Sequence, residues 1–155
     1  MNRPLFLIAA FVLAAMTATA QTVNDLKVQS GDTVHAFTVE IADTPELIAL
    51  GLMNRETMAE SAGMLFDFGS PRPANMWMQN TLLSLDMLFI DPTGRVLAIA
   101  HNAAPDSERR IGIGIPVKAV LELNANTTNT LSIQPGDTVI HPLFNNVDTN
   151  EAVAE

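Results

Sequence analysis

Turn signals recur so closely along this chain that only short elements fit between them. Ser30-Gly31-Asp32, Asp91-Pro92-Thr93-Gly94 and Gln134-Pro135-Gly136-Asp137 are compact turn sequences, and Gly69-Ser70-Pro71-Arg72-Pro73 reads as a loop. Between them the side chains alternate. From Thr33 to Ala42, the residues His35, Phe37, Val39 and Ile41 share one face, with Val34, Ala36, Thr38 and Glu40 on the other, as in a half-buried strand. Further extended stretches are expected at 25–29, 63–68, 75–78, 85–91, 95–101, 118–123 and 138–141. One short helix interrupts them. Thr44 can cap it, Pro45 suits its first position, Glu46 faces its positive end and Gly51 stops it, with Leu47, Ile48 and Leu50 as its buried side. The 124–130 segment, rich in Asn and Thr, forms a loop or one weak helical turn. This succession predicts a mainly β protein, an antiparallel sandwich or barrel with one or two short helices.

The ends read differently. Asn2 and Arg3 precede the apolar run Leu5–Ala15, and Ala18-Thr19-Ala20 supplies a small-x-small cleavage pattern before Gln21. The run is shorter than the roughly 20 residues a membrane-spanning helix needs. Residues 1–20 are therefore expected to be a cleaved secretory signal peptide, 21–141 a single β domain and 142–155 a disordered tail. The mature protein is expected in the periplasm or outside the cell, and not as an integral membrane protein.

Charge and composition exclude several partners. With 17 acidic and 8 basic residues the formal charge is −9, and no Lys/Arg block exists, so a nucleic-acid backbone would be repelled. There is no cysteine, which removes thiol catalysis, Cys metal sites and disulfides. The chain has no nucleophile elbow, phosphate-binding glycine loop or paired-histidine zinc motif. His35, His101 and His141 lie far apart, and Gly112-Ile113-Gly114 is only a fragment of a glycine motif. No cofactor and no resident metal is expected.

The stretch Gly51–Asp91 concentrates the unusual residues: six of the eight methionines, the sole tryptophan, and polar residues among apolar neighbours. Alternation along Leu85–Ile90 puts Asp86 in an apolar row with Leu88 and Ile90, where a carboxylate needs a cation or hydrogen-bond donors. Arg55, following Leu52-Met53, is the candidate cation. The pair is either a structural tie, or Asp86 holds a turn backbone, or the arginine fork meets an anionic ligand. Met76 and Met78 would share a strand face with Asn80, and Trp77 would point the other way. Such a pair of thioethers either packs a core or binds Cu(I).

These pieces resemble a known family, domain of unknown function 192. The matching residues are Gly51-Leu52-Met53-x-Arg55, Gly63-Met64-Leu65-Phe66, Trp77-Met78-x-Asn80-Thr81, Leu85-Asp86-x-x-Phe89-Ile90-Asp91, Val120-Leu121-Glu122-Leu123 and Gly136-Asp137. The resemblance implies a jelly-roll-like β-sandwich, often exported, and supplies no reaction, cofactor or catalytic residue.

The leading functional reading is an exported binding or accessory module for a small polar or anionic ligand. Its pocket would be centred on Arg55 and Asp86 and lined by Trp77, Met78, Asn80 and Thr81. A glycan-directed hydrolase would use Asp86 with a second carboxylate, Asp67 or Asp91. A Cu(I) protein would use Met53, Met64, Met76 and Met78. A partner-docking domain would use the connection from Asn102 to Gly114.

Overall fold

The computed structural model describes residues 23–147. Seven strands form one curled sheet: β1 (Val23–Ser30), β2 (Thr33–Ala42), β3 (Ala62–Pro73), β4 (Leu85–Ile90), β5 (Val96–Ala103), β6 (Pro116–Asn124) and β7 (Thr138–Ile140). Their order across the sheet is β5-β4-β6-β3-β2-β1-β7. The mainly β expectation therefore holds, in the barrel-like rather than the two-sheet form. One pairing departs from the antiparallel pattern. β2 and β3 run parallel, from Thr38 opposite Ala62 to Ala42 opposite Phe66, because α1 (Pro45–Leu50) and the residues after it carry the chain back across the sheet.

The two edges of the curl meet at one end. Val96 N–H donates to Asp137 O at 2.8 Å, Gly136 N–H to Val96 O at 2.8 Å and Val139 N–H to Gly94 O at 2.7 Å. These bonds satisfy edge groups that an open sheet would expose.

Two apolar layers result. The first draws residues from all seven strands, including Leu26, Phe37, Leu65, Leu88, Leu121 and Val139, and fills the curl. The second covers the opposite face of β3, β4 and β6 with Met64, Phe66, Met78, Met87, Phe89 and Val120. Every residue of β4 is buried, as expected of a central strand covered on both faces.

The helix forms where its caps predict. Thr44 Oγ1 accepts from Leu47 N–H at 3.2 Å, and Gly51 takes a φ of 48° and donates to Leu47 O at 2.8 Å. Leu47 and Ile48 pack on the second layer, but Leu50, expected in its buried side, is 51 % exposed. The weak turn at 124–130 is helical over α2 (Thr127–Thr130), entered through Asn126 at a φ of 68°.

Three expectations change. The residues 75–78 make only one bridge, Met76 to Ile111, instead of a strand. The 69–73 loop is the far half of β3, rejoining β6 at Arg72–Val117 after a break in register. The tail does not begin at Pro142: Pro142–Phe144 is a 3-10 turn whose Phe144 is 5 % exposed in the first layer. The expected leader and residues 148–155 lie outside the described residues. No helix among the described residues is long and apolar enough to cross a membrane.

Candidate functional site

Glu122 lies near the end of β6, opposite Met64 of β3 and Met87 of β4. Its side chain falls on the Val120 face, within the second apolar layer, and is 4 % exposed. No hydrogen bond reaches its carboxyl group from any described residue. Burial without a cation or donor pushes this carboxyl up to about 8, so it is protonated at neutral pH and offers one O–H.

That group faces a cavity of about 340 Å³. The end of α1 and residues 51–53 form one wall, Phe66 and Phe68 of β3 a second, and the 73–77 segment a third. Most lining residues are apolar, but Arg72, Asn75, Thr81, Arg110 and Glu122 also face the cavity, so polar and apolar surface meet in it in comparable amounts. Thr81, 5 % exposed, donates to Gln79 O at 3.3 Å. Two arginines reach the cavity across aromatic rings: Arg72 lies 4.5 Å from the Phe68 centroid and Arg110 lies 4.6 Å from that of Trp77. A cleft walled by aromatic and aliphatic residues, with convergent polar groups and a strongly perturbed carboxyl, is the usual form of a small-molecule site.

Of the residues singled out from the sequence, Trp77 and Thr81 line this cavity. Met78 lies fully buried in the layer beneath it. Asn80 is exposed at a φ of 54°, and its carbonyl accepts from Asn54 N–H at 2.8 Å. The expected meeting of Arg55 with Asp86 does not occur. Arg55 forms a two-pronged pair with Glu40 of β2, Nη2 to Oε2 at 2.6 Å and Nη1 to Oε1, which raises the Arg55 pKa. The parallel return of the chain brings these two together, 15 residues apart.

Asp86 is fully buried and does not line the cavity over Glu122. Its Oδ1 accepts from Asn102 N–H at 2.9 Å, and its Oδ2 accepts the Thr128 N–H at 2.9 Å and hydroxyl at 2.6 Å. It ties the end of β5 and α2 to β4, the backbone-holding alternative. The other carboxylates proposed for hydrolysis are also engaged. Asp67 pairs with Lys118 at 2.6 Å, and Asp91 accepts from Thr93 N–H, Thr93 Oγ1 and Arg95 N–H within its own turn. Among the four methionines considered for copper, Met53 and Met76 line the cavity while Met64 and Met78 pack in the layer below.

Glu122, within the Val120–Leu123 match, is a site residue not expected from the sequence. The available signal was a lone carboxylate in a strand whose neighbours on both faces are apolar.

The family model DUF192, described as "Uncharacterized ACR", matches residues 20–141. The chain belongs to this family. Among solved structures, a protein of Sinorhizobium meliloti 1021, named as a candidate transcription regulator, is 44% identical with a TM-score of 0.78, over 79% of this chain and 96% of that one. A protein of unknown function from Novosphingobium aromaticivorans DSM 12444 is 34% identical with a TM-score of 0.77, over 81% and 89% of the two chains. Comparison with curated proteins gives no match.

Proposed function

We propose that this DUF192 protein is an exported module that binds a small, largely apolar molecule in the cavity over Glu122. The observation that carries the reading is a buried carboxyl with no protein partner, facing a cavity walled by aromatic and aliphatic side chains. A protonated acid in such a place donates one hydrogen bond and fixes the orientation of a ligand carbonyl, while the walls supply affinity. Export rests on the leader pattern of residues 1–20, and the formal charge of −9 argues against a nucleic-acid partner.

Trp77 is the sole tryptophan and lines the cavity, so its emission reports occupancy. Titration with small aromatic carbonyl compounds such as acetophenone and benzamide is expected to give saturable quenching. Glu122→Gln, which keeps an N–H donor, should retain most of the affinity, and Glu122→Leu should lose about tenfold. Equal binding by wild type and Glu122→Leu, or no saturation with any such compound, would sink the reading. Export is checked by fractionation and N-terminal sequencing, with Gln21 as the expected first residue.

A further inference from the structure

A second cavity, of about 310 Å³, opens where β5 runs into the connection to β6. Ala100, His101 and Ala103 form its β5 side, and Ser107, Arg109 and Arg110 its other side. The chain has only 8 Lys and Arg residues against 17 Asp and Glu, yet two arginines stand side by side at this one opening. Neither is paired with a carboxylate among the described residues. Asp106 and Glu108, which precede them in the chain, are exposed and do not line the cavity.

The histidine is held by a buried relay. The Thr128 hydroxyl donates to Asp86 Oδ2 at 2.6 Å, so its oxygen accepts a hydrogen bond from the Nδ1–H of His101, 2.9 Å away. Thr128 and Asp86 are both fully buried. With Nδ1–H committed there, the neutral ring offers only Nε2, as an acceptor, to the cavity it lines. Ser107 Oγ accepts from Arg109 N–H at 3.3 Å and keeps its own proton to donate.

Two guanidinium forks, a hydroxyl donor and one acceptor together describe the surroundings of an oxyanion that still carries a proton. We propose that this cavity binds inorganic hydrogen phosphate. Arg109 and Arg110 balance its charge, Ser107 donates to an oxygen, and His101 Nε2 accepts from the P–OH. Sulfate matches the arginines but has no proton for Nε2. The site stands independently of the ligand proposed over Glu122, although Arg110 touches both cavities.

The test uses the full mature chain at about pH 8, where hydrogen phosphate retains one hydroxyl, with ionic strength held constant by sodium chloride. Sodium phosphate, sodium sulfate and glycerol 1-phosphate are titrated, following Trp77 emission beneath Arg110 and, as a second readout, heat by calorimetry. Saturable phosphate binding about tenfold tighter than sulfate is expected. Arg109→Ala, at an exposed position, should weaken both anions about tenfold, and His101→Ala should erase the preference for phosphate while leaving sulfate unchanged. Glycerol 1-phosphate, a dianion with no P–OH at this pH, should bind no tighter than sulfate, and an ester that binds as tightly as inorganic phosphate would overturn the role given to the P–OH. A response shared equally with sulfate and chloride, no saturation in either readout, or indifference to Arg109→Ala would overturn the proposal.

Discussion

Asp86 takes both the backbone N–H and the hydroxyl of Thr128, at 2.9 and 2.6 Å, on a single carboxylate oxygen. The other oxygen holds Asn102 N–H, so one buried side chain fastens two segments that come later in the chain. Replacing it with alanine leaves these donors without an acceptor, those of the fully buried Thr128 in a place water does not reach. Asp86→Ala is expected to cost about 3 kcal/mol or more, read as a shift in the urea midpoint with an unchanged slope. A loss under about 1 kcal/mol would mean that water or a neighbour replaces the carboxylate.

Glu122 gives a pH dependence of defined sign. Its folded pKa is about 8 and the ordinary value is 4.5, so within that window the folded chain holds a proton that the unfolded chain has released. Stability from this group is therefore greatest at the acid end and falls as pH rises, with a limiting slope of about 1.4 kcal/mol per pH unit, and levels off above about pH 8. Glu122→Gln has nothing to titrate there. Subtracting its stability curve from that of the wild type removes the other carboxylates, and the difference should decline steadily with pH. A flat difference would show that the carboxyl ionises as freely in the fold as in the open chain.

Arg55 and Glu40 predict a small effect. Their side chains are 32% and 25% exposed, so solvent screens the pair despite its two-pronged geometry. A double-mutant cycle between Arg55→Ala and Glu40→Ala, followed by urea unfolding, should return a coupling of about 1 kcal/mol, reduced by added salt. Both single variants should stay folded. A coupling several-fold larger would make this tie the anchor between the helix exit and β2.

What could be read from the sequence was what depends on near neighbours. The α1 boundaries follow from Thr44, Pro45 and Gly51, whose capping bonds span three or four residues, and the Thr33–Ala42 strand follows from its alternation. The buried position of Asp86 was legible as a carboxylate in an apolar row, but its donors lie 16 and 42 residues away, and no local pattern names them. Arg55 turns to Glu40 because β2 and β3 pair in parallel, a fact of topology. Composition made 69–73 a loop, whereas Arg72 and Pro73 rejoin the ladder opposite Val117 and Pro116 once the break in register is passed. Alternation along the strand puts Glu122 on the same side as Val120. Whether that side is wet or dry depends on α1 and the 73–81 segment lying over it, and strand periodicity carries no information on such a cover.

The closing of the curl offers the sharpest test of the fold itself. Gly94 sits where the two sheet edges meet, at a φ of 90°, with its carbonyl accepting from Val139 N–H at 2.7 Å. A Cβ at this position would lie 2.4 Å from Val139 O and 2.6 Å from the Asn146 side chain. Asn146 itself spans the junction, donating to Thr93 O at 3.2 Å and to Val139 O at 2.8 Å. Gly94→Ala therefore meets two separate penalties, a backbone conformation that L-residues avoid and a collision with the very carbonyl that the closure positions. Relief requires β7 to move away from the Gly94–Val96 edge, which breaks the three bonds joining the ends of the sheet. The expected result is a loss of about 2 to 4 kcal/mol together with faster amide hydrogen exchange at Val96, Gly136 and Val139. Gly31→Ala is the control, since a Cβ there has positive φ but nothing within 4 Å, and it should show the backbone cost alone. If the two variants lose the same stability and the three amides stay protected, the edges are not held by these bonds, and the sheet keeps its curl through the apolar layer inside it.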